Sequence, residues 1–283
     1  MKTRSLLLAL LFITNLNTTS NAQSADSSKV SYSKLTSVVL ATAGAFYYGH
    51  VFNTNMWWKG EKSRFHLTWK EDWTYALGSD KFGHFYFPYM ATNIYSDVLN
   101  WCGVDGEKSL YYSSGVAFAY QTYVEIKDGF SKQWGFAFGD FAANTLGAAY
   151  PLLQNKYPEL QNFRFKISYY PSPRFRNNSH TTIIDDYEST YDWLSINIRH
   201  YLPEEVKKYY PSFVNIAIGH SVKKLDLAEG GNHEFYIGLD WAFENIKDDW
   251  GILNTVRRMF SFYHLPAPAV KIYPDVIWYG LKY

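Results

Sequence analysis

Apolar residues recur at helical spacing from Ser33 to about Tyr157, and beyond Pro158 they alternate at every second position. The first helical segment, Leu35–Phe52, is apolar with interspersed small residues and runs into Trp57-Trp58. A polar, Trp-bearing connection from Arg64 to Trp73 leads to a second helix that begins near Asp80 and fades at Gly103. A third runs from about Lys108 to Ile126 and stops at Asp128-Gly129; a fourth runs from about Trp134 to Leu153, with Pro158 beyond it. Four helices with short joints predict antiparallel packing in a bundle. Tyr, Ser, Asn and Asp interrupt each of them, so none reads as a clean transmembrane span. Gly135, Gly139, Ala143 and Gly147, four apart, predict a face that a neighbouring helix approaches closely.

After Pro158, Phe163, Phe165, Ile167 and Tyr169 alternate with Arg164, Lys166 and Ser168. Leu194–Ile198, Val214–Ile218 and Phe235–Phe243 repeat the pattern, and Arg258–His264 and Val276–Tyr283 are further strand candidates. Pro203, Pro211, Gly230-Gly231-Asn232 and Pro266–Pro268 punctuate them. The predicted class is therefore α+β: a four-helix bundle-like region over residues 23–158 and an antiparallel β region over 159–283. Aromatic-rich alternating strands ending at Tyr283 resemble those of an outer-membrane barrel, but about six strands fall short of the eight with which such barrels begin. The expectation is a soluble or membrane-apposed sheet, partly closed into a barrel at most.

Residues 1–22 add a location. Lys2 and Arg4 precede an apolar run from Leu6 to Ile13, and Ser20-Asn21-Ala22 follows, the parts of a cleavable signal peptide with Gln23 as the mature N-terminus. No Cys follows the small residues, so lipid attachment at the cleavage point is not expected. Removal of this stretch takes away two basic residues and no acidic one, moving the net charge from +1 to −1. A near-neutral chain without a basic tract argues against nucleic acid as partner. Cys102, the single cysteine, cannot form an internal disulfide. With 25 Tyr, 20 Phe and 10 Trp the chain is 19% aromatic, which suits membrane interfaces and lipid- or sugar-facing surfaces as well as a Tyr-rich core.

Three polar fragments do not belong in a helix core. Asp80-Lys81-Phe82-Gly83-His84 opens the second helix, with Asp80 and His84 on one face. Glu125, Asp128 and Ser131 close the third, and Asp140 and Asn144 share a face of the fourth beside its small residues. In an up-and-down bundle the start of helix two lies beside the end of helix three, which lets the fragments meet.

The run from about Trp57 to Tyr170 resembles the YfiM-like family of predicted periplasmic lipoproteins, whose function is unknown. The matching residues are Phe65-His66, Trp73, Asp80-Lys81-x-x-His84, Glu125-x-x-Asp128-Gly129-Phe130, Trp134-Gly135-Phe136 and Asp140-x-x-Ala143-Asn144-x-x-Gly147. The Asp-Lys-x-x-His, Glu and Asp-x-x-x-Asn elements are also similar to those of VanZ-like proteins, which carry them on membrane helices. The resemblance implies an envelope location and a shared polar constellation, and supplies no reaction.

Three uses of the constellation compete. Asp80, Lys81, His84, Glu125, Asp128, Asp140 and Asn144 can form a paired structural network. Asp80, His84, Glu125 and Asp140 can instead be catalytic, or hold a divalent metal, with Lys81 competing for the carboxylates. A headgroup or peptide site with Trp57, Trp58 and Trp73 as platform is the third. There is no nucleophile elbow, His-Glu-x-x-His, paired Cys, P-loop or dinucleotide fingerprint. His50, His66, His180, His200, His220, His233 and His264 are scattered and read as surface or core histidines. The sequence thus predicts an exported protein of the periplasm, associated with the outer membrane and structural or accessory in envelope maintenance. The alternative is a hydrolase or transferase acting on an envelope lipid or glycan. An envelope lipid, a glycan or an outer-membrane protein is the expected partner, and the sequence names no cofactor and no oligomeric state.

Overall fold

The computed structural model describes residues 30–176, 182–225, 230–243, 258 and 260–283. The signal peptide and His180 lie outside the described residues. The long helices are α1 (Tyr32–Met56), α3 (Ser79–Trp101), α4 (Gly106–Asp128) and α5 (Phe138–Lys156), with the short α2 (Lys70–Thr74) after α1. Two-residue strands β1 (Leu67–Thr68) and β2 (Phe136–Ala137) pair in parallel and tie the connection before α2 to the start of α5. α5 therefore begins at Phe138 rather than near Trp134. Gly135, at φ +104°, belongs to the turn before it, a backbone region that favours glycine.

Asp105 caps α4, accepting from the backbone N–H groups of Glu107 and Lys108 at 3.2 and 3.3 Å. α3 follows three consecutive left-handed residues, Ala76, Leu77 and Gly78, which fold the chain back so that α3 starts against α2. α3 packs against both α4 and α5. The closest approach is at Gly147, where an added Cβ would lie 2.0 Å from the Phe85 carbonyl oxygen. The small-residue face is thus a tight seam.

α1 behaves differently. It meets the bundle through isolated side chains: Leu35 and Val38 against Leu99 and Cys102, Thr42 donating to the Tyr95 hydroxyl at 3.0 Å, and Phe46 and Gly49 against the Tyr120 ring. Val39, Leu40, Tyr47 and Tyr48 are exposed. By length and composition this 25-residue helix is apolar enough to cross a membrane, which corrects the expectation that no helix would read as a span.

The α+β class holds. Strands β3 (Phe163–Tyr169), β4 (Thr190–Ile196), β5 (Val214–Lys223), β6 (Asn232–Trp241), β7 (Ala267–Tyr273) and β8 (Ile277–Lys282) form one antiparallel sheet in sequential order. Among the described residues it does not close into a barrel, because β3 and β8 share no ladder. The candidate strand Arg258–His264 is not one: Tyr263 makes only an isolated bridge to Ile167. The sixth strand is β7, concealed in the sequence because Pro266 and Pro268 read as punctuation. The sheet meets the bundle through Phe165 and Ile167 of β3, which pack among Phe82, Phe85, Tyr86 and Tyr89 of α3.

Candidate functional site

Four segments bring their polar residues to one end of the bundle. Reversal of the chain before α3 sets Lys81 against Asp72 of α2, with Nζ to Oδ1 at 2.8 Å. The same ammonium lies 2.5 Å from Asp140 Oδ1 at the start of α5 and 3.4 Å from Asp80 Oδ2. Asp72 also accepts from the Gly139 backbone N–H at 2.7 Å, and a Cβ at Gly139 would lie 2.6 Å from its Oδ1. The glycine keeps room for this carboxylate.

One helical turn along α3, the His84 ring stands between two carboxyl groups on one side and a carboxyl group and an amide on the other. Nε2 is 3.6 Å from Asp80 Oδ1 and 3.8 Å from Asp140 Oδ2. Nδ1 is 3.3 Å from Glu125 Oε1 and 3.3 Å from Asn144 Oδ1, and Asn144 Nδ2 donates to Glu125 Oε1 at 3.2 Å. Tyr187, just before β4, donates its hydroxyl to Asp80 Oδ1 at 2.6 Å, and Trp58 Nε1 donates to Asp128 Oδ1 at 2.6 Å.

Carboxyl groups outnumber cations here: Asp72, Asp80, Glu125, Asp128 and Asp140 face Lys81 and His84. The consequences differ by position. Burial raises the Glu125 carboxyl to about 8, with His84 opposing it and the other carboxylates adding to it. Burial likewise raises Asp128 and Asp140 to about 6 each. Burial also opposes ionisation of Asp80, but His84, the Tyr187 hydroxyl and Lys81 outweigh it and hold this carboxyl below its ordinary range. Burial would lower His84, yet Asp80, Asp140 and Glu125 together hold it above its usual value. One end of the bundle thus holds a carboxylate that stays ionised, a carboxylic acid that stays protonated near neutrality, and between them an imidazole whose neighbours favour its protonated form.

The cluster forms the floor of a cavity of about 1610 Å3. Its walls come from α1, α3 and α4, with residues such as Ala45, Phe46, Phe52, Pro88, Ile94 and Val116. Trp134, Tyr75 and Tyr187 stand near the polar end. α1 reaches the bundle through a few side chains, Thr42, Phe46 and Gly49 among them, and the cavity occupies the space left beside these contacts.

The structure therefore brings together Asp80, Lys81, His84, Glu125, Asp140 and Asn144, with Asp128 at the same cavity. The three tryptophans separate. Trp57 lines the cavity and donates to Asp185 Oδ2 at 3.2 Å. Trp58 is buried behind Asp128, and Trp73 is exposed on α2, away from the lining. Sequence reasoning missed Asp72, whose only signal is an acid in a Trp-rich connection, and Tyr187, which arrives from the β region. Asp80, His84 and Asp140 offer ligand atoms within 4.8 Å of one another, a spacing that suits a divalent cation. The Lys81 ammonium occupies part of that charge field and would have to give way.

Residues 67–156 match a family model described as "Predicted periplasmic lipoprotein (DUF2279)". The match bears out the resemblance to predicted periplasmic lipoproteins, and it covers α2 to α5, the helices that carry the cluster. No curated protein and no solved structure matches the chain.

Proposed function

We propose that the protein is an exported envelope protein, associated with the outer membrane, that holds an envelope amphiphile. The apolar part of the ligand lies between α1, α3 and α4, and its polar head meets the Asp80/His84/Glu125/Asp140 cluster. The observation that carries this reading is the cavity itself, apolar along its walls and ionisable at its floor. Its volume exceeds the roughly 300–1,000 Å3 of an ordinary small-molecule pocket, as a ligand with long hydrocarbon chains requires. Exposed apolar residues on the outer side of α1 place hydrocarbon-compatible surface next to the cavity wall. The left-handed run Ala76-Leu77-Gly78, immediately before Asp80, is backbone strain of the kind that collects at functional sites.

The role is accessory, in envelope maintenance, unless the cluster also reacts. A hydrolase or transferase reading draws on one specific observation: Asp80 and Glu125 are pushed to opposite sides of the ordinary carboxylate range. That separation suits a base and an acid working on one substrate.

The experiment is mass spectrometry of lipid that copurifies with the mature chain from membranes, beside Val116→Trp, which fills the cavity, and Glu125→Gln. A defined lipid retained by the parent and lost in Val116→Trp is the expected result. No lipid on either protein sinks the amphiphile. Turnover of that lipid by the parent and not by Glu125→Gln establishes the reaction.

A further inference from the structure

Register across the sheet separates two kinds of row. One runs Phe165, Leu194, Ile218, Ile237, Val270 and Trp278 through all six strands. Beside it run Phe163, Ile196, Ile216 and Leu239. At β3 this apolar face is covered by the aromatic residues of α3. From β5 to β8 nothing among the described residues covers it: Ile218 and Ile237 are each 48% exposed and Trp278 is 68% exposed.

The opposite face runs Lys166, Trp193, Gly219, Tyr236 and Lys271, next to Ser195 and Ala217. It is closed, and beside the packed Tyr191, Trp193, Ala217, Tyr236 and Ala269 it holds a buried polar network. Lys166, Asp240, Ser195 and His264 are fully buried there, with Lys166 Nζ and Ser195 Oγ each 2.6 Å from Asp240 Oδ2. His264 Nδ1 lies 2.9 Å from Asp240 Oδ1, and the imidazole stacks on Trp193 at 3.9 Å. Lys271 pairs with Glu234 at 3.2 Å, and the Lys282 ammonium lies over the Tyr191 ring at 3.7 Å.

A sheet that turns one face to water places isoleucine inside and charge outside. From β5 to β8 this sheet has the reverse polarity: charge satisfied within and a hydrocarbon face without, bounded at one end by His220 and His233, the arrangement found where the outer solvent is lipid. The apolar strip has aromatic residues at both ends. Phe213 stacks on Trp241 at 6.5 Å, and Phe235 lies 6.2 Å from Tyr273. From Trp241 to Phe235 along β6 the strip is about 20 Å long. That is shorter than the hydrocarbon core of about 30 Å, so the strip reaches into one leaflet and does not span.

We propose that the outer face of β5–β8, centred on Ile218, Ile237, Val270 and Trp278, is a lipid-docking surface seated in one leaflet of a bilayer. It shares only the envelope location with the amphiphile cavity, and the two are read by different experiments. A single cysteine replaces Ile237 in a Cys102→Ala background, and in parallel Lys208 on the loop before β5. Each carries an environment-sensitive fluorophore on the full mature chain. The labelled proteins are checked for an unchanged melting transition, then mixed with phosphatidylethanolamine–phosphatidylglycerol vesicles containing a spin-labelled acyl chain.

The expected result is a blue shift and quenching at position 237 on addition of vesicles, with neither at 208. Failure of 237 to respond overturns the proposal. So does a blue shift at 237 that needs no vesicles and grows with protein concentration, which would assign the face to a second copy of the chain. An Ile237→Lys chain without the label, still binding lipid in its cavity but no longer floating with vesicles as the parent does, completes the separation.

Discussion

The bundle and the sheet each bury a polar cluster, and the two differ in charge balance. In the sheet, Lys166 and Asp240 form one ion pair with Ser195 and His264 donating around it, and all four are sealed from solvent. Burial keeps His264 below its ordinary range despite Asp240, while His264 and Lys166 outweigh burial and hold Asp240 low. One positive and one negative charge remain. In the bundle, carboxyl groups exceed cations and their titration is driven apart. This cluster also faces a cavity. Buried charges cost least when each has its partner, and removing one partner strands the other, so the balanced network reads as architecture. The unbalanced one holds stored electrostatic cost, as functional sites do.

The largest effect should come from breaking the balanced network. Lys166→Met leaves Asp240 buried without its cation and should destabilise by about 3–5 kcal/mol. Urea unfolding of the variant beside the parent measures it, and a change below about 1 kcal/mol would remove the architectural role.

The unbalanced cluster should respond in the opposite direction. Glu125 titrates at about 8 in the folded chain against 4.5 for a free side chain. The folded state therefore binds more protons than the unfolded one across that window, and stability falls as pH rises through it. His84, raised above 6.5, contributes stability at low pH that is likewise lost as pH rises through its folded value. Glu125→Gln should flatten this slope and stabilise the chain at pH 8 by on the order of a few kcal/mol. Melting from pH 5 to 9 tests the sign, and a variant less stable than the parent at pH 8 would make this cluster a scaffold like the other. The same melts with added zinc, calcium or chelator, beside His84→Ala, report whether the Asp80/His84/Asp140 donors take a cation.

Gly147→Ala probes the seam that holds the cluster together. Its Cβ would meet backbone of α3, which cannot rotate away, so about 1–3 kcal/mol should be lost along with retention of lipid. The smallest effect belongs to the outer sheet face. Ile237→Lys, at a half-exposed site touching neither cluster, should change lipid-free stability by no more than about 0.5 kcal/mol while altering vesicle binding. A larger loss would mean that this face is covered within the chain.

Much of this was legible in the chain. Asp80 and His84 are one turn apart by the helical period, and the stop at Asp128-Gly129 places Glu125 at the end that meets them. Small residues in α5 announced the close approach that Gly147 makes to Phe85. Asp72 and Tyr187 were not legible, because a carboxylate in a short connection and a hydroxyl more than a hundred residues away carry no periodic signal. β7 was missed because Pro268 is tolerated where its missing N–H costs no ladder bond.

By itself the sequence determined the change of period at Pro158, the four long helices, the alternating strands and the identity of the ionisable residues in the bundle. Those follow from local periodicity, which needs no knowledge of neighbours. Only the tertiary structure decided which way each alternating strand faces. A period of two marks two faces and labels neither as inside, so Ile237 and Asp240 exchange places with a choice of packing, not of pattern. The tertiary structure likewise decided that α1 stands off the bundle and opens a cavity over the acidic cluster. Its apolar residues satisfy the helical pattern equally well packed or exposed, and the gap is a property of two surfaces that meet through only a few side chains.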